Sequence, residues 1–193
     1  VCSSDLARGF PSNGNYNEAL VKVVADPTTS STRQNVNGWG MKVADYFMPF
    51  NVAALDNADS DFGSGGPILL PDSAGIPGHP HLMVAGGKEG KLYLVDRDNM
   101  GRFDPNGDHV LNAIPDGSGH NTPPAAVSGL LSTCAYFNGR LYVTSGYSGR
   151  GFAFSINRDG TLTSTSQTAI GSFGYVAGSP SISANGKIGR AHV

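Results

Sequence analysis

The sequence predicts an all-β fold, a β-propeller with a partial ring of about three to four blades. Three observations carry that expectation. Gly and Pro number 27 and 12 of 193 residues, about a fifth of the chain, against about 12% in average proteins, which leaves little room for long helices. Short apolar runs recur between Gly-containing turns, the pattern of strands in sandwiches, barrels and propellers. The third observation is an internal repeat. HLMVAGGKEGKLYLVDRDNMG (residues 81–101) aligns without gaps on RLYVTSGYSGRGFAFSINRDG (140–160). Leu82 meets Leu141, Gly87 meets Gly146, Gly90 meets Gly149, Tyr93 meets Phe152 and Gly101 meets Gly160, each pair 59 positions apart.

Taken in chain order, the first six residues, VCSSDL, translate GTGTGCTCTTCCGATCT, a common short-read sequencing adapter. The last six, IGRAHV, translate ATCGGAAGAGCACACGTC, its extended reverse complement. Residues 1–6 and 188–193 are therefore expected to be adapter-derived and irregular, and 7–187 to be the propeller segment, with adapter bases completing the codon of Lys187. Within 16–25 a helical period is discernible, but the β-branched run LVKVV reads at least as well as a strand. Trp39 and Tyr46 are expected to pack between blades. Strands are expected at 82–85, 91–95, 133–137, 140–145 and 151–155. Residues 109–127, rich in Gly, Pro, Asn and Asp, read as an insertion. Asn138-Gly139 follows STCAYF and Asn185-Gly186 follows SPSISA, 47 positions later. Asn-Gly suits a two-residue hairpin because both residues accept positive φ.

Lys and Arg total 13 against 15 Asp and Glu, a net charge of −2, and no basic stripe is visible, which argues against nucleic acid as a partner. No apolar run approaches the roughly 20 residues of a membrane helix. With Cys2 inside the adapter stretch, Cys134 is the lone thiol of the remaining segment. It sits in the alternating run LSTCAYF with no activating His or basic neighbour, so it reads as a buried strand residue.

The chemistry-bearing residues are few. Asp56, Asp59 and Asp61, followed by Gly63, Gly65 and Gly66, form an acidic, Gly-rich run that suits polar turns, calcium coordination or catalysis, with turn chemistry the plainest account. Asp96, Asp98, Asp104, Asn106 and Asp108 lack the closing Glu of an EF-hand loop and read as turns. Lys88, in GGKEG, lacks phosphate-loop spacing. His79 and His81 flank Pro80 without further nameable ligands, so the metal ligands are unknown.

DYFMPFNVAALDNADSDFGSGGPILLPD followed by HPHLMVAGGKEGKLYLVDRDNMG resembles the quinoprotein alcohol dehydrogenase-like propellers of bacteria with pyrroloquinoline-quinone-type repeats. Tyr46 and Pro49, the acidic run, Lys88-Glu89-Gly90 and Val95-Asp96-Arg97 carry the likeness. The resemblance implies a catalytic base at Asp59 or Asp61, a cofactor contact at Lys88, pyrroloquinoline quinone with calcium as cofactor, and a periplasmic or extracellular location. A base would take the alcohol proton while the cation stabilises charge developing on the quinone. The Trp that precedes the catalytic Asp in those enzymes is absent here. The expected function is therefore a propeller that binds a small molecule or protein, with a quinone-dependent alcohol or sugar dehydrogenase and an extracellular scaffold as alternatives.

Overall fold

The computed structural model describes residues 16–114, 127–184 and 190–192, and among these it is built from antiparallel strands with very little helix, as an all-β chain requires. It divides into two compact units. Of the described residues, the first comprises 16–62 with 99–109, and the second 63–98 with 110–114, 127–184 and 190–192.

In the first unit, β1 (Leu20–Asp26) pairs antiparallel with β2 (Gly40–Phe47), with a bulge between Lys22 and Val23. The β-branched reading of this run holds over the helical one. The loop joining the two strands is held by side chains rather than by a core. Thr28 donates its N–H and hydroxyl to Asp26 Oδ1 at 3.3 and 2.6 Å, and Asn35 Nδ2 donates to Asp26 Oδ2 at 3.0 Å. Thr29 Oγ1 donates to the Asp26 carbonyl and accepts from the Gly40 N–H at 2.8 Å. Trp39, expected to pack, is instead 59% exposed, since this polar loop offers it no apolar face to cover. Tyr46 is half-buried against Tyr16, with ring centroids 5.2 Å apart.

The Asp26 hydrogen bonds favour the ionised carboxylate. They hold its pKa below the ordinary value, the Thr28 hydroxyl contributing most and Asn35 next. A carboxylate whose pKa is depressed on folding stabilises the fold above its unfolded pKa of about 3.9, and this contribution is lost as pH falls through the folded value. Asp26→Asn is thus expected to melt below the parent at pH 7. The gap should narrow as melts are taken at pH values progressively below the ordinary carboxylate value; a gap independent of pH would contradict the assignment.

The first unit is completed by a short helix, α1 (Val52–Asn57), and by residues 99–109. Val52 and Leu55, spaced to share one helical face, are both buried. Asp45 Oδ2 accepts the Met100 N–H at 2.8 Å, and Arg102 N–H donates to the Tyr46 carbonyl at 3.0 Å. Phe47 and Phe62 meet edge to face at 5.8 Å.

The second unit contains two four-stranded antiparallel meanders. One runs β3 (Ile68–Leu69), β4 (Leu82–Gly86), β5 (Leu92–Asp96) and β6 (Asn112–Ile114). The other runs β7 (Ala135–Phe137), β8 (Arg140–Thr144), β9 (Gly151–Ile156) and β10 (Leu162–Gln167). Each is laid down in sequence order, as hairpin-joined neighbours must be. The meanders share one core. Leu82, Val84, Leu92 and Leu94 of the first lie in a cluster with Leu141, Val143, Phe152 and Phe154 of the second, and Leu130 and Cys134 belong to it as well. Burial pushes the Cys134 thiol up to about 12, so it stays protonated and behaves as a small apolar core residue.

The strands expected at 82–85, 140–145 and 151–155 form with shifts of at most a residue, and those at 91–95 and 133–137 appear as β5 and the shorter β7. Asn138 (φ 47) and Gly139 (φ 77) make the two-residue hairpin, with Phe137 paired to Arg140. Three expectations need correction. Residues 112–114, inside the segment read as an insertion, are strand β6, because they complete the edge of β5 through Leu92↔Ile114 and Tyr93↔Ala113. Arg190–His192, expected to be irregular, form strand β12 and pair with β11 (Ser181–Ser183). A short extended segment needs only an open edge to pair with, whatever its origin. The Asn185-Gly186 turn and residues 1–6 lie outside the described residues.

The third correction concerns register. Met83 pairs with Val95 and Ala85 with Tyr93, whereas their counterparts Tyr142 and Thr144 pair with Ala153 and Gly151. The second hairpin closes one residue earlier. Gly151, not Phe152, therefore stands level with Tyr93, and the gapless alignment slips by one along β9.

Candidate functional site

The acidic run lies in the first unit. Asp59 takes φ 52 two residues beyond α1, donating its N–H to the Asp56 carbonyl at 3.2 Å, while the Ser60 N–H reaches the Leu55 carbonyl at 2.9 Å. This is a Schellman closure, in which the residue after the helix turns left-handed; Asp tolerates that conformation better than most side chains. Asp59 is exposed, Asp61 half-buried and Asp56 buried, with Asp56 Oδ1 lacking a hydrogen-bond partner among the described residues. The run is thus divided between a helix, its cap and the residue that leads into a 3₁₀ turn at Phe62–Ser64. Among the described residues no group of three or more His, Cys, Asp and Glu side chains is placed to hold a metal ion.

Lys88 lies in the second unit, in the turn between β4 and β5, and is half-buried. The Gly90 N–H closes that turn on the Gly87 carbonyl at 3.0 Å, with Gly90 at φ 84. Tyr93 donates its hydroxyl to Glu89 Oε1 at 2.7 Å, and Lys91 Nζ stands 5.6 Å from the Tyr93 ring centre. The β8–β9 turn is its counterpart. Leu130 donates its N–H to the Gly87 carbonyl and Val176 donates its own to the Gly146 carbonyl, both at 2.8 Å. Gly90 and Gly149 both take positive φ. On this shared frame the Lys88 position is occupied by Tyr147, 43% exposed and stacked on Tyr175 at 6.2 Å.

Three hydrogen-bonded His–Asp pairs form that residue spacing did not mark. His79 Nδ1 lies 2.6 Å from Asp96 Oδ2, His81 Nδ1 lies 2.7 Å from Asp98 Oδ2, and His109 Nε2 lies 2.8 Å from Asp104 Oδ2. His79 and His81 thus engage different carboxylates, and His81 Nε2 also lies 3.9 Å from Asp72 Oδ1. The pairing tethers the loop before β4 to the end of β5, and the usable signal was the hairpin, which returns 96–98 alongside 79–81. Asp96, Asp104 and Asp159 also accept backbone N–H groups two residues ahead, as polar turns do.

No protein-family model matches the chain, and no curated protein matches it. What its fold defines is an all-β protein of repeated antiparallel sheets.

Proposed function

We propose that this is a β-propeller-type repeat protein that binds a ligand or partner through the turns joining the second and third strands of its blades. The observation that carries the reading is the pair of turns around Lys88 and Tyr147. Their backbones are anchored alike, through Gly87 and Gly146 carbonyls and through Gly90 and Gly149, while their tips differ in charge and shape. A rigid scaffold with variable loop residues is how binding sites are commonly placed on a repeated fold. Asp59 has a sufficient structural role as a left-handed helix cap, which supports a binding role over catalysis.

The rival reading is a pyrroloquinoline-quinone-dependent dehydrogenase with Asp59 or Asp61 as base, Lys88 as cofactor contact and calcium as partner ion. Calorimetric titration with pyrroloquinoline quinone and calcium separates the two. The binding-protein reading expects no saturable heat, and Lys88→Ala without effect on it. Saturable micromolar binding, weakened by Lys88→Ala and accompanied by turnover that Asp59→Asn or Asp61→Asn lowers, would make the enzyme reading the better one.

A further inference from the structure

We propose that the face of the second meander opposite its core holds a binding site for a neutral, monocyclic aromatic compound carrying a hydroxyl group. The site arises from the register slip. On this face the first meander carries Met83, Ala85, Tyr93 and Val95, with Tyr93 wholly buried. The equivalent positions in the second are Tyr142, Thr144, Gly151 and Ala153. A tyrosine ring and a valine are thus replaced by a hydrogen atom and a methyl group. A cavity of about 280 Å³ lies there, with Gly151 and Ala153 in its lining and Tyr142, Phe173 and Pro180 around them.

The lining sets the ligand class. No charged side chain contributes to it, so an ion would be desolvated without compensation. Phe173 rests on Gly151, its ring edge 2.7 Å from where a Cβ would stand, and with Tyr142 it offers aromatic faces to a flat guest. An engineered cavity of about 150 Å³ takes one benzene ring, so this volume suits one ring with substituents. The hydroxyls of Thr144 and Thr168 are already committed, to the Gly178 and Ala169 carbonyls. Tyr142 and Ser166 also line the cavity, and their hydroxyls make no hydrogen bond among the described residues, which leaves them to a polar substituent. Apolar walls with a few orienting polar groups are the usual make-up of a small-molecule site. This site is separate from the turn tips around Lys88 and Tyr147, so its failure leaves the preceding reading standing.

The test is titration of the whole chain with phenol, toluene and benzoate, followed by amide chemical shifts in NMR spectra. Phenol is expected to saturate, with shifts concentrated on β8, β9 and β10, and to bind more tightly than toluene or benzoate. Ala153→Leu, which pushes an isobutyl group into the space a guest ring would take beside Gly151, should weaken phenol binding by about tenfold or more. Tyr142→Phe leaves the shape intact and removes one of the two hydroxyls, so it should narrow the preference for phenol over toluene, a readout that survives if Ala153→Leu folds poorly. Absence of saturation by phenol, benzoate binding as tightly as phenol, an unchanged phenol affinity in folded Ala153→Leu, or an undiminished phenol preference in Tyr142→Phe would each overturn the proposal.

Discussion

Gly90→Ala is expected to cost about 3 kcal/mol or more, among the largest effects of any single methyl group added to this chain. Two costs combine. Gly90 sits at φ 84, where an L side chain is strained, and its Cβ would stand 1.9 Å from the Val127 carbonyl oxygen and 3.1 Å from the Gly129 amide nitrogen. Both obstacles are backbone, so no rotamer change relieves them. Gly139→Ala is the matched control, because Gly139 has φ 77 but nothing within 4 Å of a new Cβ. It should lose only the conformational term, about 1–2 kcal/mol. Urea unfolding of the two variants separates strain from collision. Equal losses would mean that residues 127–129 do not lie against the Lys88 turn.

Phe154→Ala is expected to cost about 3–5 kcal/mol, the range for truncating a large buried aromatic. Phe154 has no exposed surface, pairs with Leu141 across β8, and stacks on Phe152 with centroids 6.1 Å apart. It belongs to the cluster to which both meanders contribute, so the cavity left by its loss would not be relieved by movement of one sheet alone. Tyr175→Ala provides the contrast: with Tyr175 76% exposed, it should change stability by no more than about 0.5 kcal/mol. A Phe154→Ala variant as stable as Tyr175→Ala would show that the meanders do not share a core.

Much of this fold was legible because local chemistry and long-range pairing agree. LMVAG and LYLVD are apolar enough to be strands in any context, and the GGKEG turn between them permits only a hairpin. Asn138-Gly139 states its own backbone conformation. The elements that escaped owe their structure to partners. Asn-Ala-Ile at 112–114 has no strand signature of its own and is extended because β5 presents an open edge. The helix Val52–Asn57 is hidden among Asp, Asn and Ala, and only Val52 and Leu55 on one face, with Asp59 fit for a left-handed cap, mark it. The register slip was invisible for a different reason: glycines on both sides of it, Gly90 with Gly149 and Gly101 with Gly160, keep both spacing and positive φ, so the alignment looks continuous across the shift. Of the candidate site, residue types were readable and arrangement was not. Asp59, Asp61 and Lys88 were found as chemistry-bearing residues, yet Asp59 is where a helix must stop. The cavity beside Gly151 consists of side chains that are missing relative to the first repeat, and a missing side chain has no motif.

The measurement that bears most directly on two copies of one sheet differing by a single register step is a nuclear Overhauser spectrum of the strand pairs. The structure requires cross-strand backbone contacts between Met83 and Val95 and between Ala85 and Tyr93 in the first meander. In the second it requires them between Tyr142 and Ala153 and between Thr144 and Gly151. Contacts linking Tyr142 to Phe154 and Thr144 to Phe152 would restore the gapless register and turn Phe152 and Phe154 away from the shared core. That result would contradict the account, because one residue of slip moves every side chain of β9 to the opposite face.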